Sequence, residues 1–278
     1  MQDTLAEALR DRYAMEHEVA RGGMATIFLA RDLQRNQPVA IKVMHPKLAS
    51  VLGIQRFRRE IGIACSMDHP LIVPVTDSGN AGDLFYYVMP FVEGESLYQR
   101  LQRERRLPLD QALGVANDVT AALGYAHRQG VLHRDVKPEN ILLAGGRALI
   151  ADFGLARAIG SDYSRLTETG VIVGTAYYMS PEQLREDHGL DQRADIYSLG
   201  CILYEMLTGG PPFTGPTLRE LAMKILKAPA PSVRRLHPEV PVAVDEAIIR
   251  SLAKSAAGRF TTMEEFAAAL PRPAQAQM

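Results

Sequence analysis

The segment His133-Arg134-Asp135-Val136-Lys137-Pro138-Glu139-Asn140 and, a short distance on, Asp152-Phe153-Gly154 bracket two apolar runs, Ile141-Leu142-Leu143 and Ala148-Leu149-Ile150-Ala151, that meet at Gly145-Gly146. Short apolar runs around a Gly-Gly pair predict a β-hairpin, so one small hairpin carries both charged motifs. On either side of that hairpin, Ala112, Val115, Ala116, Val119, Leu123 and Ala126 recur at helical spacing over 109–128, and Ile196, Leu199, Leu203 and Met206 do so over 194–207. The half of the chain around the motifs is therefore mostly helical.

The other half opens with sheet. Met1 to Arg12 reads as a short amphipathic lead-in, and Tyr13 to Met44 alternates apolar and polar residues around Gly22-Gly23. In Val39-Ala40-Ile41-Lys42-Val43 a period of two puts Ala40 and Lys42 on one face and Val39, Ile41 and Val43 on the other. A helix is predicted over 55–67, because Phe57, Ile61 and Ala64 recur at helical spacing and His69-Pro70 stops it. Glu60 edges that stripe. Strands are expected again at 72–75 and 84–89, after which Pro90-Phe91-Val92-Glu93-Gly94 reads as a crossing segment. The expected organisation is a lead-in over 1–12, a first lobe over 13–92, a second over 93–270 and a Pro-, Ala- and Gln-rich linker-like tail over 271–278.

A chain of 278 residues that is 47% hydrophobic and 23% charged can bury a sizeable core. Its formal charge of −1 gives no field to gather polyanions, so nucleic acid is not expected as a partner. The basic clusters Arg56-Phe57-Arg58-Arg59 and Arg103-Glu104-Arg105-Arg106 read as solvated faces. Cys65 and Cys201 lie in apolar stretches, which predicts small buried hydrophobes and a reducing compartment rather than a disulfide framework. No basic-plus-apolar leader is visible, and no uncharged apolar run reaches the roughly 18 residues of a membrane span.

The loop from His133 to Asn140 with Asp152-Phe153-Gly154 resembles the catalytic loop and metal-binding motif of protein kinases. The resemblance runs from about Tyr13 to Leu270. It implies an α+β, protein-kinase-like two-lobe fold, with an antiparallel β-sheet N-lobe carrying one main helix and a mostly helical C-lobe, and with ATP and Mg²⁺, or Mn²⁺ in its place, as cofactors. Phosphoryl transfer is catalysed mainly by positioning and by neutralising charge. By resemblance Asp135 orients the acceptor hydroxyl and takes its proton, Lys137 steadies the transferring phosphate, and Asn140 and Asp152 hold the metal. Lys137, placed as it is after Asp135, is similar to the serine/threonine-specific form of the loop. Val39-Ala40-Ile41-Lys42 resembles the strand whose lysine meets the α- and β-phosphates, with Ala40 beside the adenine and Glu60 as the partner of Lys42. A surface pair of Glu60 with Arg56 is the alternative for that glutamate.

Ala20-Arg21-Gly22-Gly23-Met24-Ala25-Thr26-Ile27 is similar to the phosphate loop G-x-G-x-x-G-x-V, with alanine replacing the first and third glycines. Those alanines predict a loop of narrower conformational range. Met89 is expected behind the adenine, with the Pro90 carbonyl as acceptor and the Val92 N–H as donor, and Leu142 joins the nucleotide-binding set. Gly174-Thr175-Ala176-Tyr177-Tyr178-Met179-Ser180-Pro181-Glu182 resembles the end of a kinase activation segment, with Ser180 where alanine is commoner. It implies Thr175 near Asp135 and Lys137 and a buried Glu182–Arg259 pair. Asp195 is expected to brace the catalytic-loop backbone, an ordinary helix N-terminal acid being the alternative. Thr167 and Thr169 are the expected autophosphorylation sites, pairing with Arg134 once modified.

The Gly-Gly-Met loop and the Tyr-Tyr-Met-Ser-Pro-Glu run are most similar to the eukaryotic-like serine/threonine kinases of bacteria. Resemblance to that subgroup implies protein substrates with serine or threonine acceptors, autophosphorylation in trans, an N-lobe homodimer, and a cytoplasmic domain whose parent is tethered through a C-terminal region. Two other classes share part of the pattern. A pseudokinase scaffold would suit the altered phosphate loop but not the set Lys42, Asp135, Asn140 and Asp152. A small-molecule phosphotransferase would lack the run from Gly174 to Glu182 and the Asp195 helix start.

Overall fold

The computed structural model describes residues 2–23, 25–45, 54–153, 176–187 and 189–271, without the side chains of 2, 3, 54–58 and 60. They divide into two compact units, one ending at Glu93 and the other beginning at Gly94.

The first unit starts with helix α1 (Gln2–Leu9) and builds a five-stranded antiparallel sheet from β1 (Tyr13–Arg21), β2 (Ala25–Asp32), β3 (Gln37–Met44), β4 (Asp77–Ala81) and β5 (Leu84–Pro90), in the order β1-β2-β3-β5-β4. Helix α2 (Ile54–Cys65) lies between β3 and β4 in sequence. The period-two pattern of β3 has its physical outcome here. Val39, Ile41 and Val43 enter one apolar cluster with Phe28, Tyr86 and Val88, and Leu5 and Leu9 of α1 join it together with Tyr13. The lead-in is thus a helix whose apolar face is spent on the sheet. On the other face of β3, Lys42 stands opposite Ile27 of β2 and Tyr87 of β5, and Ala40 opposite Leu29 and Met89.

Two expectations fail in this unit. No strand forms over 72–75, where only an isolated bridge at Ile72 occurs. Pro74 has no N–H to give a ladder, and pairing begins only after Thr76, whose N–H and hydroxyl both donate to the Val88 carbonyl at 2.8 and 3.2 Å. The strand that does form, Asp-Ser-Gly-Asn-Ala over Asp77–Ala81, is poor in β-forming residues and survives as an edge strand against β5. Cys65 is the second failure, for it is exposed while Cys201 is buried. The buried stripe of α2 runs through Ile61 and Ala64, and the next residue is rotated by about 100° away from it.

The second unit contains a three-stranded antiparallel sheet, β6 (Glu95–Ser96), β7 (Ile141–Ala144) and β8 (Arg147–Ile150), and helices α3 (Leu97–Glu104), α4 (Leu109–Arg128), α5 (Pro181–Leu184), α6 (Arg193–Thr208), α7 (Leu218–Lys227), α8 (Val242–Ser251) and α9 (Met263–Ala269). The β7–β8 hairpin turns on Gly145 and Gly146 at φ +56° and +74°, the left-handed pair that a two-residue hairpin turn of the primed type needs. Helix α4 buries Ala112, Ala116, Val119, Leu123 and Ala126. Helix α6 exceeds its expected stripe, since every residue from Ala194 to Leu207 is buried except Glu205. A helix apolar nearly all round belongs in the middle of a unit, and Gly209 at φ +85° ends it.

Close approach to α8 fixes Gly200. A Cβ there would stand 2.0 Å from Ser251 Oγ and 2.9 Å from Ser251 Cβ. Gly200→Ala is therefore expected to destabilise the protein by about 1–3 kcal/mol through overpacking, read as a lower urea midpoint at unchanged slope.

Candidate active site

The loop before β7 is shaped by one buried carboxylate. Asp195, in the first turn of α6, accepts from the Arg134 N–H at 2.8 Å through Oδ1 and from the His133 N–H at 2.9 Å through Oδ2, which also takes His127 Nε2 at 2.8 Å. Burial pushes the Asp195 carboxyl up, but the bonds and charges of His127 and His133 outweigh it and hold the group below its ordinary value. Bracing by Asp195 is thus realised, and it is needed, because Arg134 sits at φ +68°. A left-handed arginine persists only where its surroundings over-determine it. Asp152, at φ +69°, is the other described non-glycine residue of these two motifs with positive φ.

His133 ties the loop to the hairpin. Its Nδ1 accepts from the Asp135 N–H at 3.2 Å, so the proton is on Nε2, which donates to the Ala151 carbonyl at 2.9 Å. The Phe153 ring meets the His133 ring edge-on at 4.7 Å. Ala151 N–H in turn donates to the Asn140 carbonyl at 2.9 Å. Both charged motifs are therefore cross-linked at the base of one hairpin.

Within the loop Lys137 Nζ lies 2.7 Å from Asp135 Oδ2. Burial works to lower the Lys137 pKa, but the carboxylates of Asp135, then Glu139 and Asp152, overcome it and hold the ammonium above its ordinary range. The turn Pro138–Asn140 brings Asn140 back to Asp135, with Nδ2 donating to its carbonyl at 2.8 Å and lying 3.3 Å from Oδ2. That commits the amide nitrogen and leaves the oxygen to serve as a ligand. An amide oxygen and the carboxylate of Asp152 suit a hard divalent cation. Leu142 lies on β7, half-buried, opposite Ser96 and Leu149.

In the first unit the phosphate-loop sequence forms the β1–β2 hairpin. Ala20 pairs with Ile27, Ala25 opens β2, and the Gly22 N–H closes the turn onto the Ala25 carbonyl at 2.9 Å. Both alanines occupy strand positions, where a Cβ is tolerated. His45, just past β3, donates from Nδ1 to the Gly23 carbonyl at 3.1 Å and meets Thr26 Oγ1 through Nε2 at 3.1 Å. Lys42 lies with its ammonium 5.9 Å from the centre of the Tyr87 ring. Met89 is buried in β5, Pro90 ends that strand exposed, and Val92 follows it half-buried. Glu60 is on α2, but its side chain lies outside the described residues, as do Thr167, Thr169 and Thr175 entirely.

The end of the expected activation segment is anchored at several points. Glu182 receives a bidentate pair from Arg259, at 2.6 and 2.8 Å, and the same guanidinium donates to the carbonyls of Arg193 and Ala253, each at 2.8 Å. Ser180 and Gln183 form a capping box on α5, and Ser198 Oγ donates to the Tyr178 carbonyl at 2.8 Å. His127, Gln183 and Ser198 were not among the expected site residues. Only Gln183 had a signal to give, since Ser-Pro-Glu-Gln is a capping-box pattern.

Residues 13–267 match the family model of the protein kinase domain. The chain belongs to the protein kinase family. The serine/threonine-protein kinase PknB of Mycobacterium leprae (strain TN) is 41% identical over 271 residues, 95% of this chain and 43% of that protein. PknB of Mycobacterium tuberculosis (strain ATCC 25618 / H37Rv) is 40% identical over 276 residues, 97% of this chain and 44% of that protein. The serine/threonine-protein kinase PrkC of Bacillus subtilis (strain 168) is 38% identical over 267 residues, 95% and 41% respectively. The chain thus spans less than half the length of these curated relatives. The expected two-lobe kinase fold and its bacterial serine/threonine subgroup both stand. A kinase domain uses ATP with a divalent metal and acts on proteins. Among the described residues no helix is long and apolar enough to cross a membrane.

Proposed function

We propose that this chain transfers the γ-phosphoryl group of ATP to serine and threonine hydroxyls of proteins, in bacterial signalling. The observation that supports this most is the Asp135–Lys137 pair at 2.7 Å, in a loop whose left-handed Arg134 is pinned by Asp195. The acceptor oxygen bonds to the γ-phosphorus as the bond to the ADP oxygen breaks, and the hydroxyl proton goes to Asp135. Lys137 neutralises charge on the transferring group. Asn140 and Asp152 hold Mg²⁺, or Mn²⁺ in its place, which supplies charge neutralisation on the phosphates when bound.

The nucleotide is bound in this reading by Ala20, Gly22, Gly23, Ala25 and Ile27 of the phosphate loop, by Ala40 and Lys42 of β3, by Met89, Pro90 and Val92, and by Leu142. Glu60 pairs with Lys42, and Thr175 contacts the catalytic loop. Thr167 and Thr169 are autophosphorylated in trans, a homodimer forms through the first unit, and the domain works in the cytoplasm with its parent membrane-tethered. The lobe boundaries are those of 13–92 and 93–270. The length of the relatives beyond the matched part is compatible with a tether.

The test is incorporation of label from ATP with Mg²⁺ into a generic basic protein, comparing the parent with Lys42→Met and Asp152→Asn. Both variants are expected to fall by roughly a hundredfold or more, and equal incorporation in all three would defeat the reading. Peptide mapping of the incubated parent is expected to place phosphate on Thr167 or Thr169.

A further inference from the structure

Gln183 reaches from the capping box of α5 to the catalytic loop. Its Oε1 accepts from the Ser180 N–H at 2.9 Å, and its Nε2 donates to the Arg134 carbonyl at 2.8 Å. Ser180 and Gln183 are 0% and 3% exposed, so neither bond competes with bulk water. The amide orientation is dictated by its partners, since a backbone N–H can only donate and a carbonyl can only accept. The same residue is gripped from its other end, where Asp195 takes the Arg134 N–H at 2.8 Å. Arg134, at φ +68°, is thereby clamped at both N–H and C=O, directly before Asp135.

We propose that Gln183 is a positioning residue for phosphoryl transfer, coupling the Ser180-Pro181-Glu182 end of the activation segment to the backbone that aims Asp135. A left-handed arginine has extended and helical alternatives that lie lower in energy when unclamped, and either would swing the next residue. Asp195 alone fixes the amide, and rotation of the peptide on the far side of Arg134 is resisted by Gln183. What Ser180 adds over alanine is its hydroxyl, which caps the Gln183 N–H at 3.4 Å, while its backbone N–H, which alanine would also supply, orients the Gln183 amide. The inference rests on the kinase reading above, for only then is the aim of Asp135 a rate-determining quantity.

The experiment compares kcat and the KM for ATP, with thermal melting, in the parent, Gln183→Glu and Gln183→Met. Gln183→Glu keeps an oxygen for the Ser180 N–H but turns a second oxygen on the Arg134 carbonyl. Its kcat is expected to fall on the order of tenfold to a hundredfold at pH 8, with KM for ATP within about twofold, as positioning of a group that does not touch the nucleotide requires. Burial and the facing Arg134 carbonyl both disfavour the carboxylate and raise the pKa of the new carboxyl, and once protonated its O–H can donate to that carbonyl, so the ratio of variant to parent kcat is expected to rise toward pH 6. Gln183→Met, which cannot be rescued by a proton, is expected to show the loss without that pH dependence. A kcat for either folded variant within about twofold of the parent, or a loss in Gln183→Glu that acid does not relieve, would overturn the proposal. So would failure of both variants to fold, which would make the residue structural. A parent that transfers no phosphate would instead sink the functional reading itself.

Discussion

Asp135→Asn is expected to lower kcat by about 10²- to 10⁴-fold, the range for loss of a positioned general base, while the KM for ATP changes little. Asparagine has the size of aspartate and keeps an oxygen for Lys137, which lies 2.7 Å from Oδ2 in the parent. The shorter bond from Asn140, at 2.8 Å, goes to the backbone carbonyl of residue 135 and survives the substitution, and the longer contact to Oδ2, at 3.3 Å, is kept by the amide oxygen that faces Lys137. What disappears is the negative charge and with it the ability to take a proton from the acceptor hydroxyl. The split between kcat and KM separates this role from nucleotide binding. A matched drop in ATP affinity would place Asp135 among the binding residues instead.

Glu182→Ala is expected to destabilise the fold by about 3–5 kcal/mol, because removing one partner of a buried pair leaves the other charge uncompensated. The Arg259 side chain is 0% exposed and that of Glu182 14%. Arg259 would retain the carbonyls of Arg193 and Ala253 but, among the described residues, no carboxylate in hydrogen-bonding contact. Double replacement of the pair by apolar residues of similar volume should recover much of the loss, which a denaturation series would show directly. The pH dependence has a defined sign. Burial pushes the Glu182 carboxyl up, but the hydrogen bonds and charge of Arg259 outweigh it and hold the folded pKa below the ordinary 4.5. Its contribution is therefore complete above that unfolded value and is lost as pH falls through the lower folded one. The parent is expected to lose stability more steeply than Glu182→Ala as the pH drops below about 5.

The catalytic loop was legible because chemistry dictates residue type there, and Asp135, Lys137, Asn140 and Asp152 have few substitutes. Gly145-Gly146 announced its hairpin because a two-residue turn needs left-handed backbone. The same backbone at Arg134 and Asp152 left no trace, since neither residue favours it; at Arg134 the long-range grip of Asp195 and Gln183 imposes it. The edge strand Asp77–Ala81 was invisible for a related reason. Its residues have little β-propensity, and pairing with β5 alone makes it a strand. Cys65 shows the limit of reading an apolar neighbourhood as burial when one step along a helix changes the face. The alanines at positions 20 and 25 sit in strands and not at the turn.

The identity of the product separates a serine/threonine protein kinase from its alternatives most directly. Incubating the chain with labelled ATP, Mg²⁺ and a basic protein acceptor, then hydrolysing the acceptor and separating its phosphoamino acids, is expected to give phosphoserine and phosphothreonine from the parent and background from Asp135→Asn. Label confined to a small molecule, or the same phosphoamino acids at the same level from both proteins, would contradict it.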